Sequence, residues 1–166
     1  MIKTGVLIIS DRSYRGERED ATGPLLIEHI RSKGWSVSEF NIIPDEKQVI
    51  KQTLINLTDQ TDIDLIITSG GTGLSPRDVT PDVTAEVCDI AIPGLVEHMR
   101  MEGLKYTRHS LLSRAYAGVR GRTLIINLPG SPKGAIQNLS AIDDVLAHAV
   151  DLIRESPEAE MGHGSM

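Results

Sequence analysis

Two kinds of apolar spacing alternate along this 166-residue chain. Short unbroken runs read as strands buried on both faces, as in a parallel sheet: "GVLIIS" from Gly5 to Ser10, "DLIITS" from Asp64 to Ser69 and "TLIINL" from Thr123 to Leu128. "WSVSEFNII", from Trp35 to Ile43, reads as a further strand. Helical spacings lie between them. Leu25, Leu26, His29 and Ile30 share a face that Pro24 can start and Gly34 can close. Val49, Ile50, Thr53, Leu54 and Leu57 mark the next helix, and shorter helical patterns surround Ala85 and run from Gly94 to Glu102. Ile136, Leu139, Ile142, Leu146, Ala149, Val150 and Ile153 form a closing face with a break near Ser140. The stretch from Tyr106 to Gly121 fits neither period. Residues 157–166 are expected to be a disordered tail, which leaves 1–156 as one domain.

This alternation predicts an α/β fold: a three-layer α/β/α, doubly wound, mostly parallel sheet with helices on both faces. Ligands of such sheets bind beyond the carboxyl ends of the strands, so the segments that leave each apolar run are the ones to inspect. They are "SDR" at Ser10–Arg12, "PDE" at Pro44–Glu46, "SGGTG" at Ser69–Gly73 and "PGSPK" at Pro129–Lys133. Each is rich in acids, hydroxyls or glycines.

Gly70, Gly71 and Gly73 let a backbone turn sharply and present consecutive amides to a phosphate, with the Thr72 hydroxyl as a further donor. The same tetrapeptide also reads as a plain strand-to-loop turn. It is neither a P-loop nor a dinucleotide fingerprint. Arg77 and Asp78 follow in a loop bracketed by Pro76 and Pro81, which limits backbone freedom. Arg77 can grip phosphate oxygens and Asp78 can hold Mg²⁺, or the two form an ordinary surface pair. Asp45 precedes "EKQVIKQTL" and reads either as a helix cap or as a second carboxylate for a divalent cation. Asp82, with Thr80, reads as a helix-start signal and is assigned to structure. In "NLPGSPK", Gly130 permits close approach, Ser131 brings a hydroxyl and Lys133 a positive charge near a helix start, where anions are favoured.

Composition removes several alternatives. Phe and Trp occur once each and the net charge is −6, so stacked-aromatic sites, nucleic-acid binding and attraction to an anionic membrane are not expected. Cys88 is the only cysteine, which rules out an internal disulfide, and no histidine lies at zinc-ligand spacing from it. Cys88 reads as a small core residue, and His29, His98 and His148 as packed or surface residues. No apolar run reaches membrane-span length and no signal-peptide pattern is present, so a cytoplasmic protein is expected.

Taken together, "ISDR", "IIPDE", "TSGGTGLSPRDVTPD", "IPGL", "LLSRAYAGVRG" and "LIINLPGSPKG" resemble the molybdopterin adenylyltransferases, over a span from about Lys3 to Glu155. Relatives include the Mog-type bacterial enzyme, the G domain of gephyrin and the molybdenum cofactor biosynthesis protein B group. The resemblance implies a trimer that uses Mg²⁺ and ATP to adenylylate the terminal phosphate of molybdopterin, releasing pyrophosphate, with a molybdate-insertion protein as a possible partner. It implies catalytic and metal-holding roles for Asp45 and Asp78. It also implies a nucleotide and pterin pocket drawn from Ser10, Asp11, Gly70, Gly71, Thr72, Gly73, Arg77, Thr80, Ser113, Arg114, Asn127, Pro129, Gly130, Ser131 and Lys133, with Ser113 at the substrate. Two rival functions share these motifs: a pterin-binding scaffold without chemistry, and a nucleotide hydrolase of the kind found in competence-damage proteins.

Overall fold

A computed structural model describes residues 1–155; the expected tail at 157–166 lies outside the described residues. The chain runs β1 (Lys3–Ile9), α1 (Asp11–Tyr14), α2 (Thr22–Ser32), β2 (Ser36–Ile43), α3 (Lys47–Gln60), β3 (Leu65–Ser69), α4 (Thr80–Val87), β4 (Ile90–Ala91), α5 (Pro93–Gly103), a 3₁₀ helix (Arg108–Leu112), β5 (Ala117–Arg120), β6 (Thr123–Leu128), α6 (Pro132–Ser140) and α7 (Asp143–Ile153). The strands form one six-stranded sheet in the order β2-β1-β3-β6-β5-β4. β2, β1, β3 and β6 are mutually parallel, while β5 runs antiparallel to both β6 and β4. The expected α/β fold with a mostly parallel sheet is therefore the observed one.

The unbroken apolar runs are buried because helices cover both faces of the central strands. Val6, Ile8, Leu65, Ile67, Leu124 and Ile126 point to one side, against Leu26 and Ile30 of α2, Met99 of α5, Leu139 of α6 and Leu146 of α7. Leu7, Ile9, Ile66 and Ile125 point to the other, against Ile50 and Leu54 of α3 and Val83 of α4. Side chains two apart share a face, which is the strand period. β2 lies at one edge of the sheet, and its middle residues are exposed. The closing helical face is split at Ala141 and Ile142, next to the expected break at Ser140.

β1 has β2 on one side and β3 on the other, so the chain reverses its direction of travel across the sheet at β1. Loops leaving β1 and β3 consequently part to opposite faces and open a crevice at the carboxyl edge. The stretch that fitted neither period contributes the 3₁₀ helix and β5, which adds an antiparallel strand beside β6.

Candidate functional site at the carboxyl edge of the sheet

Four strand exits build this rim. From β3 the chain enters Gly70 at φ +110° and Gly71 at φ +67°, backbone that L side chains rarely adopt. The turn also lies against its neighbours. A Cβ on Gly70 would stand 2.1 Å from the Ile9 carbonyl oxygen, and one on Gly71 would stand 2.3 Å from Thr80 Oγ1 and 3.0 Å from Asp45 Oδ1. Gly70 N donates to Leu128 O at 3.1 Å and Ser69 Oγ to Pro129 O at 2.7 Å, so the β3 and β6 exits are fastened to each other. Thr22 Oγ1 donates to Gly130 O at 3.1 Å and holds that turn from the α2 side.

Asp45 does not cap α3: its Oδ2 accepts from Asp11 N at 2.9 Å, and its own amide donates to Asp11 Oδ1 at 3.0 Å. Arg77 Nε and Nη2 donate to the two Asp11 oxygens at 2.6 and 3.1 Å, so this fork is engaged within the protein. Asp78 Oδ2 accepts from Ser75 N at 3.0 Å. Burial holds the Asp45 carboxyl above its ordinary pKa, opposed by the amide of Asp11 and reinforced by the charges of Asp11 and Asp78. The Arg77 hydrogen bond pulls Asp11 below its usual value.

Two cavities flank the Pro129–Ser131 turn. The larger, about 770 Å³, is lined by Thr72, Gly73, Leu74, Ser75, Asp78, Ser113, Pro129 and Ser131, with Thr107, His109 and Ser110 from the 3₁₀ segment and Gln137 and Asn138 from α6. The smaller, about 410 Å³, is lined by Ser10, Ser13, Arg18, Asp20, Thr22, Ser69, Gly130 and Ser131. Ser131 belongs to both, and its Oγ accepts from Gly134 N as the N-cap of α6.

Asp11, Asp45, Gly70, Gly71, Arg77 and Thr80 line neither cavity, and three more residues expected at the ligand stand elsewhere. Asn127 is fully buried, its amide donating to Thr68 Oγ1 and Thr84 Oγ1 at 3.0 and 2.9 Å while its oxygen accepts from Tyr116 N. Nothing of it is left for a substrate. Arg114 donates to Gly73 O and Asp78 O at 2.9 and 2.6 Å and forks onto Asp82 at 3.1 Å, bracing the glycine turn against the following loop. Asp82 lies in the first turn of α4 and accepts from Arg114, while the N-cap position is Val79, without a side-chain bond, so neither Asp82 nor Thr80 is the cap. Lys133 is exposed on the first turn of α6 and lines neither cavity. Sequence reading passed over Arg18, whose Nη2 donates to Ser10 Oγ at 3.1 Å inside the smaller cavity. The only signal for it was the charge-dense "RGERED" directly after the β1 exit. Thr107, His109 and Ser110 carried no pattern at all.

Divalent-cation chemistry fits Asp45 and Asp78. Burial first, and then the charges of Asp11 and Asp78, raise the pKa of Asp45, and Thr80 Oγ1, which with Asp45 Oδ1 lies against Gly71, has no hydrogen-bond partner. Among the described residues no three acidic, histidine or cysteine side chains gather into a cage, so a cation here would complete its shell with ligand oxygens, the habit of Mg²⁺. Cys88 lies outside both cavities, and burial raises its thiol to about 11. Its alkylation by iodoacetamide at pH 8 is expected to be on the order of 10²-fold slower than that of a free thiol, followed by mass shift. A rate equal to free cysteine would contradict that environment. His29 is packed, with Nε2 2.8 Å from Asp143 Oδ2.

The switch-point crevice with paired cavities belongs to a doubly wound α/β protein with glycine turns and carboxylates along the carboxyl edge of its sheet. Comparison with known proteins makes this specific: residues 5–148 match a family model described as probable molybdopterin binding domain. The chain belongs to that family, which includes the MogA and MoaB proteins of molybdenum cofactor biosynthesis. It is 42% identical over 154 residues to the molybdopterin adenylyltransferase of Helicobacter pylori J99, covering 92% of this chain and 88% of that one. Against the Escherichia coli K12 molybdopterin adenylyltransferase the identity is 38%, covering 90% of this chain and 77% of that one. The crystal structure of the molybdopterin biosynthesis enzyme MoaB from a Thermus species superposes with a TM-score of 0.89 at 48% identity, covering 95% of this chain and 99% of that one. Among the described residues no helix is long and apolar enough to cross a membrane.

Proposed function

We propose that this chain adenylylates molybdopterin: a terminal phosphate oxygen of the pterin attacks the α-phosphorus of ATP, a new P–O bond forms, and the bond to the β-phosphate breaks to release pyrophosphate. The observation that carries this reading is two cavities meeting at one residue, Ser131, with Asp78 in the wall of the larger. A bimolecular phosphate transfer needs two seats with a shared wall. Ser113 in the larger cavity argues for the pterin there, and Ser10 and Arg18 argue for the nucleotide in the smaller.

Joining two anions demands charge neutralisation and orientation more than acid–base chemistry. Asp45 and Asp78 would hold Mg²⁺, which supplies positive charge to the phosphate oxygens when bound. The amides of the Gly70–Gly73 turn orient phosphate, and Arg18 adds a positive charge at the smaller cavity. No covalent enzyme intermediate is required. The protein would act in the cytoplasm as a homotrimer and pass its product to a molybdate-insertion protein.

The family model's description as a probable molybdopterin binding domain leaves room for a second reading, a pterin-binding protein without chemistry. Incubation with ATP, Mg²⁺ and molybdopterin, read by mass spectrometry, decides between them. Adenylylated molybdopterin with equimolar pyrophosphate supports transfer. Bound but unmodified pterin supports the scaffold, and nucleotide breakdown without pterin supports a hydrolase.

A further inference from the structure

We propose that Asp11 and Arg77 are positioning residues that hold Asp45 in register with the glycine turn, and not contacts for nucleotide or pterin. The inference deepens the adenylyl-transfer reading and rests on it for its kinetic part, while its structural part stands alone.

Asp11 follows β1, Asp45 follows β2 and Arg77 follows β3, so each belongs to a different strand exit. Asp11 and Asp45 exchange amide-to-carboxylate hydrogen bonds in both directions, at 2.9 and 3.0 Å. Such a reciprocal pair fixes two loops against each other as a short ladder would, although no strand pairing extends that far. It also sets which oxygen of Asp45 faces the site. Oδ2 is held by the Asp11 amide, which leaves Oδ1 directed toward Gly71 and the buried Thr80 hydroxyl.

Both oxygens of Asp11 are occupied: Oδ1 accepts from the Asp45 amide and from Arg77 Nη2, Oδ2 from Arg77 Nε. An unpaired carboxylate at that place would repel a triphosphate; paired with a guanidinium it is neutral and serves as a brace. The Asp11 side chain is 17% exposed and that of Arg77 is 59% exposed. The inner partner therefore carries the positioning, and the outer ion pair, screened by water, contributes less. Asp11, Arg77 and Asp45 all line neither cavity, so the positioning role rests on the hydrogen bonds that tie Asp11 to Asp45 and to Arg77.

Three variants test this: Asp11→Ala removes the acceptor and the charge, Asp11→Asn keeps an acceptor for the Asp45 amide and loses the charge, and Arg77→Met removes the outer brace. Two readouts are taken on the full chain, amide hydrogen exchange at Asp45 and steady-state kinetics with ATP and molybdopterin. Asp11→Ala is expected to lose protection at Asp45 and to lower kcat by on the order of 10²-fold with KM for both substrates within about twofold, since misplacement of a catalytic group costs that much. Asp11→Asn is expected to restore most of the protection and to recover kcat to within about tenfold of wild type, and Arg77→Met to fall between wild type and Asp11→Ala. A rise in KM for ATP or molybdopterin at unchanged kcat would overturn the proposal, because it would make Asp11 a ligand contact. Retained Asp45 protection in Asp11→Ala would overturn it as well. If the wild-type chain transfers no adenylyl group, the exchange data still decide whether Asp11 holds Asp45, so the two failures remain distinct. Should Asp11→Ala not fold, Asp11→Asn and Arg77→Met carry the same comparison.

Discussion

Gly70→Ala is expected to destabilise the protein by about 3 kcal/mol or more and to abolish most of its activity, because two costs act at one atom. Gly70 has φ +110°, a conformation alanine adopts only under strain. The added methyl would also stand 2.1 Å from the Ile9 carbonyl oxygen, a main-chain atom that cannot swing aside. Relief requires β1 and β3 to separate at their carboxyl ends, where Gly70 N is itself bonded to Leu128 O at 3.1 Å. The crevice would widen and the glycine turn would shift relative to Asp45. Urea unfolding measures the first effect and turnover the second. Gly94→Ala serves as the control: its added methyl would meet nothing within 4 Å, and it lies in α5 where alanine is a better helix former. That variant is expected to be as stable as wild type or slightly more so, by up to about 1 kcal/mol. Equal stability of the two variants would contradict the close packing described at the switch point.

Asp78→Asn is expected to lower turnover by on the order of 10²-fold or more while leaving the fold intact. An asparagine oxygen can still accept the Ser75 amide that Asp78 Oδ2 now accepts at 3.0 Å, so the loop geometry has a replacement for its hydrogen bond. What the substitution removes is negative charge in the wall of the larger cavity, where the adenylyl-transfer proposal places the cation that neutralises phosphate. The loss should therefore appear in kcat, and raising Mg²⁺ should recover only part of it. Unchanged turnover at saturating Mg²⁺ would remove Asp78 from the chemistry.

The parallel part of the sheet was legible because β1, β3 and β6 are covered on both faces and so require unbroken apolar runs. Their exits could then be placed at one edge by topology alone. The antiparallel end was not legible. β5 is Ala117, Gly118, Val119 and Arg120, and at Gly118 a Cβ would lie 2.6 Å from Ile90 O, so close packing there selects small residues that carry no strand pattern. Site residues divide along the same line. Asp45 and the glycine turn announced themselves by chain position after a strand, and reciprocal bonding with Asp11 shows why Asp45 is no helix cap. Arg114 and Asn127 look like ligand contacts in one dimension because sequence shows a polar residue near a motif but not which bonds satisfy it. Arg114 spends its donors on Gly73, Asp78 and Asp82, and Asn127 on Thr68 and Thr84. The 3₁₀ segment that walls the larger cavity through Thr107, His109 and Ser110 has no hydrophobic period, since it is held by contacts with α5 such as Ser110 Oγ to Arg100 O at 2.8 Å.

Adenylyl transfer across the Pro129–Ser131 partition requires both substrates to be seated on one chain at the same time. Native mass spectrometry of the protein with Mg²⁺, molybdopterin and an ATP analogue carrying a methylene bridge between its α- and β-phosphorus atoms measures this directly. A species with one analogue and one molybdopterin per chain is the result predicted. Mutual displacement, with each ligand removing the other as its concentration rises, would show a single shared seat and contradict the account.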